Sequence, residues 1–191
     1  MTLDADPGLY QAVFLDRDGT LNEDPGYLRS SLQLRLFEGV PQALKKLKEA
    51  GYLLIVVSNQ SGVGRGLIQL EELQGIHGRL NELLEPSGAK IDHFELCLHH
   101  PDQNCSCRKP KPELILNAAS VLSIDLRRSY MVGDKASDIS AGKNAGCKGV
   151  ALVLTGEGPS TLKAVEAGLQ EKPDYTGHSL TEVAKWILSQ T

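Results

Sequence analysis

The chain has 191 residues, of which 41% are hydrophobic and 23% charged, and these globular proportions exclude a long disordered region. A formal net charge of -4 gives no electrostatic reason to expect binding to nucleic acid or to an anionic membrane. The length suffices for one full hydrophobic core, so we predict a single domain over residues 1–191. Residues 1–10 lack a charged-then-apolar leader pattern, and no apolar run is long enough to cross a bilayer, so we expect a cytoplasmic protein.

Strand-like apolar runs alternate with helix-like stretches along the chain. The predicted strands are residues 12–15, 53–57, 94–98, 129–132 and 149–154. The predicted helices are residues 41–50, 70–84, 113–122, 137–145 and 180–188, and the predicted loops are 22–33, 101–112 and 155–159. Because crossover helices usually connect parallel strands, this alternation predicts an α/β fold with a central parallel sheet and helices on both faces.

Polar motifs follow four of the predicted strands at the point where each strand ends. Asp16 follows the first strand, Ser58 the second, a group of cysteines the third and Asp134 the fourth. In open parallel sheets, ligands bind beyond the carboxyl ends of the strands. We therefore expect a functional site at this edge of the sheet.

Two carboxylates, Asp16 and Asp18, stand two residues apart after the first strand, followed by Gly19, which lets the chain turn. If the strand ends there, Asp16 can attack a phosphorus atom while Asp18 protonates the departing alkoxide. Anionic groups that attack an anion need a cation, and Asp134 and Asp138 supply further oxygen ligands suited to Mg²⁺. Taken alone, however, an Asp-x-Asp-Gly segment is more typical of a capped turn.

The predicted loop after the third strand carries a candidate zinc site, formed from Cys97, His99, His100, Cys105 and Cys107. Three thiolates and one imidazole are the ligand set of a closed tetrahedral zinc site, and either histidine can supply the imidazole. The alternative is a buried cysteine, a surface histidine and a chance pair. Four protein ligands leave no open position for water, so the zinc would be structural. Cys147 stands apart and is expected in the core.

Four motifs in order resemble those of the haloacid dehalogenase superfamily. They are the DxDGT segment at residues 16–20, Ser58, Lys109 and the GDxxxD segment at residues 133–138. The resemblance covers nearly the whole chain. It implies the Rossmann-like fold of that superfamily, and the predicted elements leave no room for a large cap domain.

The resemblance also implies roles for the acidic residues. Asp16 would be the nucleophile, and Asp18 the general acid and then the general base for the hydrolytic water. Asp16, the backbone carbonyl of Asp18 and Asp134 would bind Mg²⁺, with Asp138 lying just outside the metal's ligands.

Further roles follow from the same resemblance. Ser58 and the amide of Asn59 would donate hydrogen bonds to the phosphoryl oxygens, and Lys109 would neutralise their charge. The matching phosphatases use the first histidine of a CxHH sequence, which selects His99 over His100 as the zinc ligand. The zinc-bound loop would then position Lys109.

The CxHH and CxCRKP segments are similar to two groups in the superfamily, the heptose 1,7-bisphosphate 7-phosphatases and the histidinol-phosphate phosphatases. The segment that follows Ser58 reads NQSGVGRG, which favours the heptose group, although Ser58 replaces the threonine usual there. The resemblance thus implies a phosphatase that removes the 7-phosphate of a phosphorylated sugar, with histidinol phosphate as the alternative substrate. Without a cap, short loops would bind the substrate through Asp24, Gly26, Tyr27, Ser58, Asn59, Gln60, Ser61, Arg108, Lys109 and Lys135.

Two other classes of function are alternatives. A zinc-stabilised binding module without catalysis is disfavoured by the intact pair of Asp16 and Asp18. A phosphatase acting on nucleic-acid ends would need a basic groove with stacking aromatics, whereas aromatic content is 5% and the net charge is negative. We expect a monomer that acts on a small phosphorylated sugar, with neither nucleic acid nor membrane as a partner.

Overall fold

A computed structural model describes residues 9–190 of the chain. The strands are β1 (Gln11–Leu15), β2 (Tyr52–Asn59), β3 (His93–Cys97), β4 (Tyr130–Gly133), β5 (Gly149–Val153) and β6 (Tyr175–Gly177). The helices are α1 (Val40–Glu49), α2 (Ser61–Gly64), α3 (Leu70–Leu84), α4 (Glu113–Leu122), α5 (Ala136–Ala145), α6 (Gly158–Glu166) and α7 (Leu180–Ser189). Single 3-10 turns lie at Ser31–Gln33, Glu85–Ser87, Pro101–Gln103 and Leu126–Arg128.

The six strands form one sheet in the order β3-β2-β1-β4-β5-β6, and every neighbouring pair is parallel. This confirms the predicted parallel sheet. Leu15, the last residue of β1, pairs with Val56 of β2 and with Val132 of β4. The chain segments that leave β1, β2 and β4 therefore begin side by side at one edge of the sheet.

Both faces of the sheet are buried, and the side chains of β1 show how. Val13 and Leu15 belong to a cluster that also contains apolar residues of α1, α3 and α7. Ala12 and Phe14 point to the opposite face and pack with residues of α4 and α5. Since successive strand residues alternate between faces, a continuously apolar strand predicts burial on both sides, and the helices on both faces confirm it.

Local signals at the start of α5 place two charged residues near the sheet edge. The backbone N–H of Lys135 donates to Oδ2 of Asp138 at 3.0 Å, so the carboxylate satisfies an amide that the helix leaves unpaired. The helix ends at Gly146, whose φ of 81° is a left-handed conformation that glycine adopts without strain. Asp138 is thereby fixed at the first turn, directly after β4.

The five predicted strands and five predicted helices are confirmed, with ends displaced by a few residues at most. One strand and two helices were not predicted: β6, α2 and α6. Helix α2 is one turn long and β6 has three residues, and elements this short carry too little periodicity to separate them from loops. Helix α6, with nine residues, begins inside the predicted loop 155–159.

The structure bears on two further expectations, the position of Cys147 in the core and the lack of an apolar run long enough to cross a bilayer. Cys147 is partly buried against the cluster around α4 and α5, and burial raises the pKa of its thiol to about 12. In the stretch 9–190, no helix has both the length and the apolarity to cross a bilayer. The leader pattern sought in residues 1–10 falls mainly on residues 1–8, which lie outside the described residues.

Candidate active site

The carboxyl ends of the central strands open on a cavity that gathers most of the predicted site residues. Its lining includes Asp16, Asp18, Asp24, Gly26, Tyr27, Ser58, Asn59, Gln60, Ser61, Lys109, Lys135 and Asp138. Asp134 lies behind this lining and is fully buried. Arg108 is the one predicted substrate contact that does not line the cavity, so its role stays a prediction.

Lys109 joins the predicted nucleophile, Asp16, to Asp138. Its Nζ lies 2.9 Å from Oδ1 of Asp16 and 2.6 Å from Oδ1 of Asp138, and it also donates to the carbonyl of Val57 at 2.8 Å. Burial favours the neutral amine, but the charges of Asp138 and Asp16 outweigh it and raise the pKa of Lys109. The site thus holds a buried ammonium group beside Asp16.

Asn59, the last residue of β2, fixes the backbone of Lys109. Its side-chain Oδ1 accepts from the Lys109 N–H at 3.0 Å, and its Nδ2 donates to the Lys109 carbonyl at 3.1 Å. The Asn59 side chain is therefore committed to the protein, which leaves its backbone amide for the predicted phosphoryl contact. These two hydrogen bonds fix the position of Lys109 at the sheet edge, although Lys109 lies on an irregular loop.

Three buried carboxylates form a group that suits a divalent cation. One oxygen from each of Asp16, Asp134 and Asp138 lies within 4.8 Å of the others. Burial, followed by the charge of Asp16, raises the pKa of Asp134 to about 7. A hard cation would relieve this repulsion, and oxygen ligands alone are the set that Mg²⁺ takes. The chemistry of this group thus suits magnesium. Asp16 and Asp134 are two of the predicted ligands, whereas Asp138 was predicted just outside them and the role of the Asp18 carbonyl stays a prediction.

Asp134 is also enclosed by segments far apart in the sequence. Its Oδ2 accepts from the backbone N–H of Glu157 at 2.8 Å, and its carbonyl accepts from Oγ1 of Thr161 at 2.9 Å. Gly19 passes so close to the Asp134 carboxylate that a Cβ there would collide with it, and its φ of 87° also favours glycine. The glycine of the DxDGT segment is therefore needed for close approach as well as for the turn.

The carboxylate of Asp18 is held by four side-chain donors. Oδ1 accepts from Nε of Arg17 at 3.0 Å and from Nδ2 of Asn22 at 2.9 Å. Oδ2 accepts from Nη2 of Arg17 at 2.6 Å and from Nε2 of Gln60 at 2.8 Å. Burial opposes ionisation, but the Arg17 charge and these hydrogen bonds outweigh it and lower the pKa of Asp18.

Arg17, Asn22 and the role of the Gln60 side chain were missed from the sequence. Arg17 is 1% exposed, and Gln60 also donates to Oγ of Ser58 at 2.9 Å, so the amide bridges two predicted catalytic residues. The only signal for Arg17 was its place between the two carboxylates of the DxDGT segment. A charged residue after a strand ordinarily faces water, and nothing local in the sequence marks this one as buried.

Lys135, at the start of α5, forms two ion pairs, one of them with the loop after β1. Nζ of Lys135 lies 3.5 Å from Oδ2 of Asp24 and 3.5 Å from Oε1 of Glu157. Asp24 in turn accepts from the backbone N–H of Gly26 at 2.8 Å, which tightens the turn that carries Tyr27. Burial alone would lower the pKa of Lys135, but the charges of Asp16 and other carboxylates raise it. A cation therefore stands at the cavity mouth.

The four predicted zinc ligands converge after β3. Sγ of Cys97 lies 3.5 Å from Sγ of Cys105, which lies 3.5 Å from Sγ of Cys107, and Nδ1 of His99 is 3.2 Å from Cys107 and 3.8 Å from Cys97. Tetrahedral zinc with its usual bond lengths separates its ligand atoms by about 3.5 to 3.8 Å. The donor set and spacing thus fit zinc. His100 instead accepts from the backbone N–H of Asp102 at 3.2 Å.

The loop that carries these ligands packs against α2 and is tied to β2. The carbonyl of Cys97 accepts from the Gln60 backbone N–H at 2.8 Å. Nζ of Lys111 donates to the carbonyls of Asn104 at 3.1 Å and of Cys105 at 2.6 Å. A Cβ on Gly64 would collide with the backbone of residues 98–100. The cysteine loop is therefore packed against α2 and bonded to the residue that follows β2.

Comparison with known proteins identifies relatives over nearly the whole chain. A family model described as HAD-hydrolase-like matches residues 106–183. The chain is 40% identical to the D-glycero-beta-D-manno-heptose-1,7-bisphosphate 7-phosphatase of Haemophilus ducreyi, covering 93% of this chain and 98% of the relative. It is 41% identical to the Helicobacter pylori enzyme of the same name, covering 93% of this chain and 97% of the relative.

Solved structures agree with the sequence relatives. A crystal structure of D,D-heptose 1,7-bisphosphate phosphatase from B. bronchiseptica, complexed with magnesium and phosphate, superposes with a TM-score of 0.87 at 32% identity. The match covers 95% of this chain and 99% of that chain. L-2-haloacid dehalogenase from Xanthobacter autotrophicus superposes with a TM-score of 0.62 at 15% identity, which is a likeness of fold.

Proposed function

Because the chain belongs to the haloacid dehalogenase family of hydrolases, we propose that it is a magnesium-dependent phosphatase whose nucleophile is Asp16. The observation that carries the proposal is the buried pair of Asp16 and Lys109, 2.9 Å apart, at a cavity that also exposes Asp18. A carboxylate beside a buried ammonium group can attack a phosphoryl group whose charge the same ammonium neutralises.

In the first step, a carboxylate oxygen of Asp16 forms a bond to phosphorus, and the bond from phosphorus to the sugar oxygen breaks. The electron pair of that bond stays on the departing oxygen, which takes a proton from Asp18. Asp18 must therefore carry a proton in this step, and its lowered pKa makes the protonated group a stronger acid. Ser58 and the backbone amide of Asn59 donate hydrogen bonds to the phosphoryl oxygens, and Lys109 offsets their charge. The product is an aspartyl-phosphate on Asp16.

In the second step, water attacks phosphorus and the bond between phosphorus and Asp16 breaks. Asp18 now accepts the proton of that water, so the same group acts first as acid and then as base. Inorganic phosphate leaves, and the Asp16 carboxylate is restored. The cycle consumes one water and changes no oxidation state.

Asp16, Asp134 and the backbone carbonyl of Asp18 would hold the magnesium ion. When bound, it supplies positive charge that offsets the carboxylates and the phosphoryl oxygens. Asp138, which pairs with Lys109 at 2.6 Å, orients that lysine just outside the metal's ligands.

Cys97, His99, Cys105 and Cys107 would hold a structural zinc ion. Its function would be to order the segment that continues into Arg108 and Lys109. Support comes from the 3.2 to 3.8 Å spacing of the four donor atoms and from the pairing of Asn59 with the Lys109 backbone.

The substrate that we propose is D-glycero-D-manno-heptose 1,7-bisphosphate, from which the 7-phosphate is removed. The support is the name shared by relatives at about 40% identity and the cation Lys135 at the cavity mouth. Lys135 and Arg108 would hold the sugar hydroxyls or the remaining phosphate, with Asp24, Tyr27 and Ser61 on the short loops.

We also propose a single domain that acts as a cytoplasmic monomer. The support is that Asp16, Asp18 and Lys109 line one cavity, so the proposed catalytic groups are supplied together by one copy of the chain. A reducing compartment would keep the three thiols of the zinc site available to metal.

The proposal is tested by measuring phosphate release with Mg²⁺ from the β and α anomers of the heptose bisphosphate and from histidinol phosphate. We expect the β anomer to react fastest, because the relatives from Haemophilus ducreyi and Helicobacter pylori carry that anomer in their names. Faster release from histidinol phosphate would reassign the substrate. No release from these esters or from an aryl phosphate would instead favour the binding-module alternative.

A further inference from the structure

Arg17 has no part in the chemistry described above, yet it is a fully buried charge at the centre of the site. It is 1% exposed, and its ion pair with Asp18 has an N–O distance of 2.6 Å. A buried guanidinium requires acceptors for its N–H groups, since an unpaired buried charge is strongly unfavourable. The acceptors that Arg17 uses show what it does.

The guanidinium grips Asp18 with two parallel hydrogen bonds. Nε donates to Oδ1 at 3.0 Å and Nη2 donates to Oδ2 at 2.6 Å. Two parallel bonds between planar groups fix the rotation of the carboxylate, which a single bond would leave free. Nη2 also donates to Oε1 of Gln60 at 3.1 Å, and Nε2 of Gln60 in turn donates to Oδ2 of Asp18.

The far side of the guanidinium rests on His77, a residue of α3 that does not line the cavity. Nη1 of Arg17 lies 3.1 Å from Nε2 of His77. Because Nη1 only donates, Nε2 must be the unprotonated acceptor, so the imidazole is neutral. The His77 ring is stacked on Phe94 of β3, with ring centroids 4.3 Å apart and planes 18° from parallel.

We propose that Arg17, supported from behind by His77, is the positioning residue that fixes the orientation of the Asp18 carboxylate; this rests on the acid and base role proposed for Asp18. Arg17 belongs to the cavity lining but its side chain is only 1% exposed, so it acts through Asp18. The chain of contacts runs from the Phe94 ring through His77 and Arg17 to Asp18. It links the packing of α3 on β3 to a proton transfer at the end of β1.

The test is a double-mutant cycle on turnover of the heptose bisphosphate. Arg17→Lys keeps the charge but cannot make two parallel bonds, so we expect kcat to fall about tenfold to a hundredfold with KM within about twofold. In an Asp18→Asn background the same substitution should change kcat by less than about twofold, because the group that Arg17 orients no longer transfers protons. An equal loss in both backgrounds would overturn the proposal.

Variants of His77 supply a second readout. His77→Phe keeps the stack on Phe94 but removes the acceptor for Arg17, whereas His77→Gln can restore an acceptor. We expect kcat to fall in the first and to recover at least partly in the second, with KM unchanged. Arg79→Met, on the same helix and paired at the surface with Glu82 alone among residues 9–190, is the control and should retain full kcat. Equal kcat for all three variants would contradict the proposal.

The outcomes separate this inference from the proposed function. A wild-type chain that releases phosphate but gives additive losses refutes the role of Arg17 and leaves the phosphatase standing. A wild-type chain that releases none refutes the phosphatase. In that case a crystal structure of Arg17→Met decides the positioning role: an unchanged Asp18 side-chain orientation refutes it, and a rotated carboxylate supports it.

Discussion

The ammonium nitrogen of Lys109 lies 2.9 Å from Oδ1 of Asp16, with the two side chains 2% and 5% exposed. We expect Asp16→Asn to abolish turnover while the fold survives, since an amide is nearly the same shape but a poor nucleophile. Lys109 keeps Asp138 and the Val57 carbonyl as partners in the variant. Phosphate release and thermal unfolding measure the two effects.

The control for this variant is Asp92→Asn. The Asp92 carboxylate does not line the cavity and pairs with Nζ of Lys48 at 2.7 Å. It should retain full turnover. Near-normal phosphate release by Asp16→Asn would refute the aspartyl-phosphate mechanism.

Asp18→Asn should slow turnover by about a hundredfold or more, as removal of a general acid and base usually does. Formation and hydrolysis of the aspartyl-phosphate should both slow, because in the proposed mechanism Asp18 protonates the leaving oxygen and then deprotonates the water. A fluoroberyllate mimic of the phosphoryl group should still bind the variant, since Asp16 is intact. Single-turnover kinetics measure the two steps separately, and an unchanged rate of aspartyl-phosphate hydrolysis would argue against the base role.

The purified protein should hold about one zinc per chain, and Cys105→Ser together with Cys107→Ser should remove it. Activity should fall and substrate affinity should weaken, because the metal orders the segment that positions Lys109. Far-ultraviolet circular dichroism should change little, since the sheet and its helices do not depend on this loop. Zinc-free protein purified without chelator, or a double variant with wild-type kinetics, would show that the cysteines are incidental.

Gly64→Ala tests the contact between α2 and the cysteine loop. A Cβ at this position would collide with the backbone of residues 98–100, so we expect the free energy of unfolding to fall by about 1 to 3 kcal/mol. Gly75→Ala, on α3 with open space around it, is the matched control and should instead gain up to about 1 kcal/mol. Urea denaturation measures both, and equal stability of the two variants would contradict the packing.

His77 should make stability depend on pH. Burial, followed by the Arg17 charge, lowers the pKa of His77 from its usual 6.5 to about 4. Between these values the unfolded chain binds a proton that the folded chain does not, so this stabilisation is full above pH 6.5 and is lost as pH falls toward 4. From pH 7.5 to 4 the wild type should lose about 3 kcal/mol more than His77→Gln. Parallel stability curves for the two proteins would be inconsistent with a neutral buried His77.

The sheet and the ends of its strands could be predicted from the sequence because buried parallel strands are continuously apolar and end in polar motifs. Asp16, Asp134, Asp138 and the zinc ligands could be identified because they stand in polar motifs that follow these strands. Helix α6 was missed, although Pro159 at its start was a usable signal, because prolines favour the first turn of a helix.

The support of Asp18 could not be predicted in the same way. Arg17 and His77 are 60 positions apart and meet only because α3 packs on β3. A single sequence records neither that packing nor the burial of a charge that depends on it. The residues proposed to contact the substrate lie on recognisable sequence motifs. The residues that position them, such as His77, are far apart in the sequence and come together only in the folded chain.

The strand order has a consequence for the nascent chain. Asp16 and Asp18 are synthesised before the rest of the site, and β4, which brings Asp134 to the neighbouring position, is made more than a hundred residues later. Glu157 and Thr161, which enclose Asp134, are made later still. A chain on which β3 has just been made therefore carries Asp16, the proposed nucleophile, without Lys109 or Asp134. In the proposed mechanism such a chain cannot transfer a phosphoryl group, so hydrolysis would await synthesis of the segment up to Thr161.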